Sequence, residues 1–433
     1  MMRRWILPLL AATSLWSASY REVVGHISRT PALQSAELMS QAAREEEAAA
    51  QGRNLPSLDL SLQSAWLKET PTMTLHTGFG PSGPLPMGRT RNFIGALTLS
   101  YPLFTGFAVS ASIDRARWQA ERARLKTLDL KRNLILKATE LYGVVEAYGR
   151  ILRAQQKAKS AILAALKKAQ GLYKNGLIPP ADLYNIRAKA YEIDARITQT
   201  RSTRQQMLRS LAYLSGLPMH GIEGGISLPP LPGRAHAKRM AWSRRVDLRA
   251  LQSALHMDEA QIRLAESRYY PTVGVRAALK RHGDTLALNG DGFTNADQSY
   301  AGIEVNWNLF NGEQDRHHVE AARYKRLASA SALVDYRERV ATEIDNAYLE
   351  LSALRAKRKS AAMQVRAQEE YYKLTEGRFA NQLASADELS RSIASLADAR
   401  AKAAVIATKI RVQEAKIWLL TGVENFEKEV KAR

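Results

Sequence analysis

The chain has 433 residues, room for two or three ordinary domains, and carries 63 Lys and Arg against 42 Asp and Glu, a formal net charge of +21. So basic a balance raises nucleic acid or an anionic membrane surface as partners. The cations, however, are scattered along helical faces without stacking aromatics, which is the pattern of solvated helix surface and not of a nucleic-acid binder. The absence of cysteine excludes disulfides, thiolate metal sites and a lipid anchor on an N-terminal Cys.

Arg3-Arg4 precede an apolar run from Trp5 to Trp16, and the small residues Ser17-Ala18-Ser19 follow. Positive start, short apolar run and small-residue exit predict an export signal over residues 1–19; the other reading is a buried N-terminal helix. The run is too short to span a bilayer, and no later segment approaches twenty uninterrupted apolar residues. Any passage into a membrane would therefore not be by helices.

Residues 31–52 are Ala- and Glu-rich and predict a helix that Arg53-Asn54-Leu55-Pro56 ends. The period then changes to two. Leu58, Leu60, Leu62 and Trp66 alternate with polar residues and predict a strand over 55–67. A Gly/Pro-rich loop follows from Thr70 to Arg91, and Phe93, Gly95, Leu97, Leu99 and Tyr101 predict a second strand over 92–102. Long helices are expected over 107–215. Past Gly106 there is no Pro until Pro179, and residues 108–174 as one helix would run roughly 100 Å. Leu134, Leu141 and Tyr148 recur every seven, with Ala138, Val145 and Leu152 between them, which is a coiled-coil seam. Asn175 to Pro180 turns the chain, and Gly216-Leu217-Pro218 stops the returning helix.

After a Gly/Pro-rich connector over 219–239, the order repeats within 240–422. A helix from Val246 to Arg268 leads to strands over 271–281 and 299–309 and to long helices over 312–421, with a seam of Leu333, Val340, Ala347 and Leu354 and with Ile344 and Leu351 between. A tail, 423–433, is left over. Leu103-Phe104-Thr105-Gly106 recurs as Leu309-Phe310-Asn311-Gly312 at an offset of 206, where an alternating pattern meets a helical one. Tyr142 and Tyr348, Gly171 and Gly377, and Gly216 and Gly422 match at the same offset. The chain is thus two copies of one strand-hairpin and long-helix-hairpin unit, mainly α with membrane β. Four strands of about ten to twelve residues have the length and alternation of bilayer-spanning strands. Four alone cannot close a barrel, so several copies of the chain must share one. Trp66, Tyr101, Tyr300 and Trp307 near strand ends suit an interfacial aromatic girdle, or ordinary packing in a soluble sandwich.

This order of elements, with the two Leu-Phe-x-Gly joints, Arg245-Val246-Asp247-Leu248-Arg249, Tyr270-Pro271, Gly176-Leu177 and Asp182-Leu183, resembles the TolC family of outer-membrane efflux proteins over nearly the whole mature chain. The resemblance implies a homotrimer whose 12-stranded β-barrel sits in outer-membrane lipid and continues as a coiled-coil α-helical tunnel through the periplasm. It implies a passive exit duct working with a periplasmic adaptor and an inner-membrane transporter, in drug or metal efflux or in type I secretion. It also carries residue roles. Asp182 and Glu388 match acidic positions of the periplasmic aperture; Phe379 and Arg391 stand where the family has a tyrosine and an acid, and Ala384 where it has a latch arginine. Asn175, Gly176 and Leu177, with Asn381, Gln382 and Leu383, match the turns that meet the adaptor, Gln382 replacing a glycine. Leu103, Phe104, Gly106, Leu309, Phe310 and Gly312 form the strand-to-helix joints. Asp182, following Pro179-Pro180, also reads as a helix N-cap, and the turns also read as plain helix connections.

No phosphate loop, nucleophile elbow or dinucleotide fingerprint is present, so neither an enzyme nor a cofactor is expected. The neighbours His317-His318 point apart on a helix and make no metal pair. The loop with Asp284, Asn289-Gly290-Asp291-Gly292, Asn295 and Asp297 misses the EF-hand spacing and reads as a polar surface loop. The alternative function is an exported coiled-coil scaffold or adhesin.

Overall fold

The computed structural model describes residues 17–74, 76–78, 80–81 and 83–431, so most of the expected export signal, 1–16, lies outside the described residues. The chain runs through β1 (Ser17–Ser19), α1 (Tyr20–His26), α2 (Pro31–Gly52) and β2 (Ser57–Trp66). A loop follows with four two-residue strands, β3 (Thr72–Met73), β4 (His76–Thr77), β5 (Gly80–Pro81) and β6 (Leu85–Pro86), before β7 (Arg91–Phe104) returns. Helices α3 (Ala108–Lys174) and α4 (Pro180–Ser215) close the first copy. The second holds β8 (Gly221–Glu223), α5 (Arg234–Arg244), α6 (Val246–Glu266), β9 (Thr272–Gly283), β10 (Tyr300–Asn306), α7 (Gln314–Ala380) and α8 (Ala386–Thr421), and α9 (Val423–Lys431) ends it.

The duplication holds to the residue in the helices. Both ends of α7 lie 206 positions after those of α3, and both ends of α8 lie 206 after those of α4. Upstream, the starts of α6 and β9 lie 215 positions after those of α2 and β2. The nine-residue difference is absorbed between the strands of the hairpin, where lengthening a loop costs little.

Contacts divide the chain into two compact units. The helical unit takes the chain up to Leu38, Arg124–Arg249 and everything from Val334; the sheet unit takes Met39–Ala123 and Ala250–Leu333. Two apolar cores of the helical unit lie among the described residues. One gathers Tyr20, Val23, Ile27, Ile135, Tyr142, Leu211, Leu419 and Phe426. The other, at the helix turns, gathers Ile162, Leu183, Ile186, Phe379, Leu389 and Ile393. The tyrosines matched by the repeat hold the connector at two places: the Tyr142 hydroxyl donates to the Glu223 carbonyl at 2.7 Å and the Tyr348 hydroxyl to that of Pro232.

The structure departs from the sequence expectation at several points. In α3 the expected seam holds at Ala138 and Val145, but Ile135 and Tyr142 are buried in place of the expected Leu134 and Leu141, and Tyr148 and Leu152 stay half-buried. The reason is that α1 and α9 share this core and draw that face inward. In α7 the expected seam holds at Val340, Ile344, Ala347, Leu351 and Leu354. The expected tail is instead α9, whose Val423, Phe426 and Val430 fall on one helical face and are buried. Strand β10 stops at Asn306, short of the expected 309, while β7 runs on to Phe104. Ser17–Ser19 pairs in parallel with Gly221–Glu223, and Ser19 forms a capping box with Glu22 at the start of α1.

Candidate functional site

The sheet unit holds one antiparallel sheet of order β10-β9-β7-β2. Residues paired across strands point to the same side. The rows Leu58–Leu99–Ala277–Ala301 and Leu60–Leu97–Leu279 are therefore apolar throughout, as is Tyr101–Val275–Ile303. The opposite face reads Asp59–Thr98–Ala278–Tyr300 and Ser57–Ser100–Arg276–Gly302, with Glu304 3.5 Å from Arg276. The apolar face is not covered: Leu60 is 70% exposed, Leu62 76% and Ile303 71%. Among the described residues, strands β2 and β10 each have one unpaired edge. A soluble sheet buries such a face; among the described residues, the sheet unit gathers a small apolar cluster of Ala265, Val319 and Ala322 on its helices α6 and α7.

Trp66 and Tyr101 lie near opposite ends of this apolar face, as a girdle needs. Tyr300 departs from the expectation, because its register with Ala278 places it on the polar side. Trp307 lies past the end of β10, and its indole donates to the Tyr269 carbonyl at 3.1 Å. Among the described residues no helix is long and apolar enough to cross a membrane.

At the first joint, Leu103 is the extra residue of a β-bulge, since Pro102 pairs with Gly274 and Phe104 with Val273. Gly106 (φ +59°) and Phe107 (φ +69°) then take the left-handed conformation in succession, and Gly312 (φ +69°) and Glu313 (φ +63°) repeat the pair. The glycines serve this geometry for different reasons. A Cβ on Gly106 would lie 2.5 Å from the Ser267 carbonyl oxygen and 2.9 Å from the Tyr270 Cβ, whereas a Cβ on Gly312 would meet nothing within 4 Å. Crowding thus applies at Gly106, and Gly312 answers to backbone conformation alone. Phe107 packs edge-on between Phe104 and Tyr270. Leu309 and Phe310 stand exposed, Phe310 at 81%.

The two helix turns share one design. Gly176 (φ +70°) follows α3 and Gln382 (φ +63°) follows α7. The Leu177 amide donates to the Leu172 carbonyl and the Leu383 amide to that of Arg378, closing each helix in a left-handed cap. Asn175 and Asn381 are exposed at the tips, and Leu177 and Leu383 project into solvent. The second turn has an added clamp that its residue types did not announce. The Arg378 guanidinium reaches Glu388 at 3.0 Å and the Leu383 carbonyl at 3.0 Å. Glu388 is thus paired within its own chain, and its amide is capped by Ser385. The side chain of Asp182, its counterpart, makes no hydrogen bond or ion pair among the described residues, while its amide donates to the Pro179 carbonyl. It lies in the first turn of α4, whose N-cap is Pro179, so the N-cap reading does not hold. Arg391 pairs with Asp387 at 2.8 Å. Phe379 is buried in the core at the turns, with Lys168 5.9 Å from its ring centre.

Arg245-Val246-Asp247 has a structural meaning within the helical unit. Asp247 accepts from the buried Arg245 at 2.6 Å, from Tyr336 at 2.7 Å and from Arg132 at 3.3 Å, while Arg245 also reaches Glu343 at 2.9 Å. Burial alone would raise the Asp247 value, but the Arg245 hydrogen bonds and the charges of Arg245 and Arg132 outweigh it, holding the carboxyl at about 2. In the loop after β9, Asp291 accepts from the Phe293 and Thr294 amides and Asp297 from that of Ser299. These carboxylates build turns. Among the described residues, His317-His318 included, no group of three could hold a metal ion.

Three comparisons bear on this arrangement. The family model described as outer membrane efflux protein matches residues 26–217 and 239–423. Protein CyaE of Bordetella pertussis is 26% identical over 298 residues, which are 65% of this chain and 59% of that relative's length. The outer membrane protein VceC of Vibrio cholerae superposes with a TM-score of 0.77 at 15% identity, over 93% of this chain and 96% of that one. A membrane protein from Pseudomonas aeruginosa does so with a TM-score of 0.77 at 14% identity, over 98% and 97%.

Proposed function

The chain belongs to the outer membrane efflux protein family, and from that premise we propose that it is the passive exit duct of a tripartite efflux or type I secretion system. The observation that carries this reading is the four-stranded sheet with an uncovered apolar face, a polar face and two free edges. Free edges are not tolerated in lipid, so three copies joined edge to edge would close one barrel with the polar face lining its bore. The helices would continue the duct through the periplasm. The rival reading, an exported scaffold or adhesin with a soluble sheet, would leave Leu58, Leu60, Leu62 and Ile303 in water and is the weaker for it.

The turns bearing Leu177 and Leu383 would meet the periplasmic adaptor, with an inner-membrane transporter beyond it. Asp182, Glu388 and Arg391, near those turns, would line the periplasmic aperture. The pairing of Glu388 with Arg378 leaves Asp182 as the free carboxylate there. Recovery of heat-resistant trimers from outer-membrane extracts tests the duct; recovery as a soluble periplasmic monomer would sink it. Crosslinking from Gly176 or Gln382 to the inner-membrane partner would separate drug or metal efflux from protein secretion.

A further inference from the structure

The two helix turns are equivalent in backbone and opposite in charge. Residues 161–185 hold three cations and one acid, whereas the equivalent residues 367–391 hold three cations and five acids. From Ala147 to Ala181 there are seven Lys or Arg and no acid. The structure shows how these charges are used. In the second turn Lys373 pairs with Glu370 at 2.8 Å, Arg378 with Glu388 at 3.0 Å and Arg391 with Asp387 at 2.8 Å, so each cation of that stretch is neutralised. In the first turn Lys167, Lys168, Lys174 and Arg187 are exposed and none pairs with a carboxylate among the described residues. Lys168 lies over the Phe379 ring and Arg187 over that of Tyr184, contacts that hold the cations in place without cancelling their charge. The second turn places Lys373, Leu374, Ala380 and Ile393 at the same four positions. The nearby acid is Asp182.

We propose that the first-repeat turn is a docking surface for an acidic segment of the periplasmic partner, which presents carboxylates to Lys167, Lys174 and Arg187 and an apolar side chain to the exposed Leu177. The second-repeat turn, whose cations are all paired and are outnumbered by its acids, is met through Leu383 and backbone groups. The proposal rests on the reading that the turns meet an adaptor. It adds that the two turns are not interchangeable to it, because complementary charge selects register and partner as well as strengthening encounter.

The test places a photo-crosslinking residue at Asn175, and separately at Asn381, in the full chain in cells. The captured peptide from Asn175 is expected to be rich in Asp and Glu. Its yield should fall about tenfold with Lys167→Glu combined with Lys174→Glu, and in isolated membranes on raising salt from about 0.05 M to about 0.5 M. Lys373→Glu should leave it unchanged. Lys167→Gln with Lys174→Gln, expected to give an intermediate loss, guards against misfolding, with heat-resistant assembly as the control. A captured protein segment without acidic character, or a yield blind to these charges, overturns the acidic-partner proposal while leaving the adaptor reading in place. Capture of lipid or nucleic acid at Asn175 overturns it too. Capture of no protein from either turn overturns both.

Discussion

Gly106→Ala and Gly312→Ala offer the sharpest test of the strand-to-helix joints, because they make the same chemical change at positions related by the repeat. Each forces a Cβ onto a left-handed backbone, at φ +59° and +69°, which costs about 1–2 kcal/mol. Gly312 ends there, with open space around the new methyl. At Gly106 the methyl would also lie 2.5 Å from the Ser267 carbonyl oxygen, and the neighbour is backbone that cannot swing aside. Overpacking of that kind adds about 1–3 kcal/mol. The total is about 2–5 kcal/mol at Gly106 against about 1–2 at Gly312. Purified protein in detergent, heated through its transition, should show Gly106→Ala well below Gly312→Ala, with a matching loss of heat-resistant assembly in membrane extracts. Gly312→Val, β-branched at positive φ, should fall between them, and Gly312→Asn should approach wild type, since Asn tolerates this conformation. Equal losses for the two alanine variants would refute the assignment of crowding to the first joint alone, and normal assembly of Gly312→Val would remove any need for glycine at the second.

Asp247→Asn should destabilise the helical unit by about 1–3 kcal/mol, because it removes the carboxylate that Arg245 and Arg132 share and leaves them with Glu343 and Asp129 alone; a denaturation midpoint near wild type would contradict this. The same carboxyl sets a pH dependence. Its folded value, about 2, lies below the ordinary 3.8, so its stabilisation is complete above about pH 4 and is lost as pH falls toward 2. That loss, about 2 kcal/mol, should be missing from Asp247→Asn in acid titrations of stability. Arg378→Leu, which installs the residue of the equivalent Leu172, should speed hydrogen exchange at the Leu383 amide, and adding Gln382→Gly should restore protection; no change in either variant would remove the clamp from the account. Export processing should occur ahead of Ser17, because Ser17–Ser19 pairs with Gly221–Glu223 and Ser19 caps α1. N-terminal sequencing that begins at Tyr20 would overturn that, and Ser19→Ala should cost about 1 kcal/mol.

The features legible in the sequence were those written in periodicity and in glycine. The offset of 206 located all four long helices because it relates their ends without a gap, and the period-two runs located the strands because each residue type announces its face. Other features had no such mark. Phe107, Glu313 and Gln382 hold positive φ, yet nothing in those side chains signals a left-handed backbone. In α3, Ile135 and Tyr142 take the seam positions of Leu134 and Leu141 because α1 and α9 pack on that face, a tertiary cause that no heptad count within α3 contains. Glu388 read as a free aperture acid, since Arg378 lies ten positions away and only the turn brings them together. Helix α9 is legible in Val423, Phe426 and Val430, which carry helical spacing past the Gly422 that ends the repeat.

The sheet's want of a core has a consequence for how the protein is made. The two described cores of the helical unit are built from residues of a single copy. In the proposed trimer the sheet is not so contained, because what satisfies its apolar face and its two free edges lies outside the chain. On that reading folding would be divided in time, with helices maturing first and strands last. In the interval each copy would carry an adhesive, half-finished surface across an aqueous compartment, and would need a holding chaperone or prompt delivery to lipid to survive it.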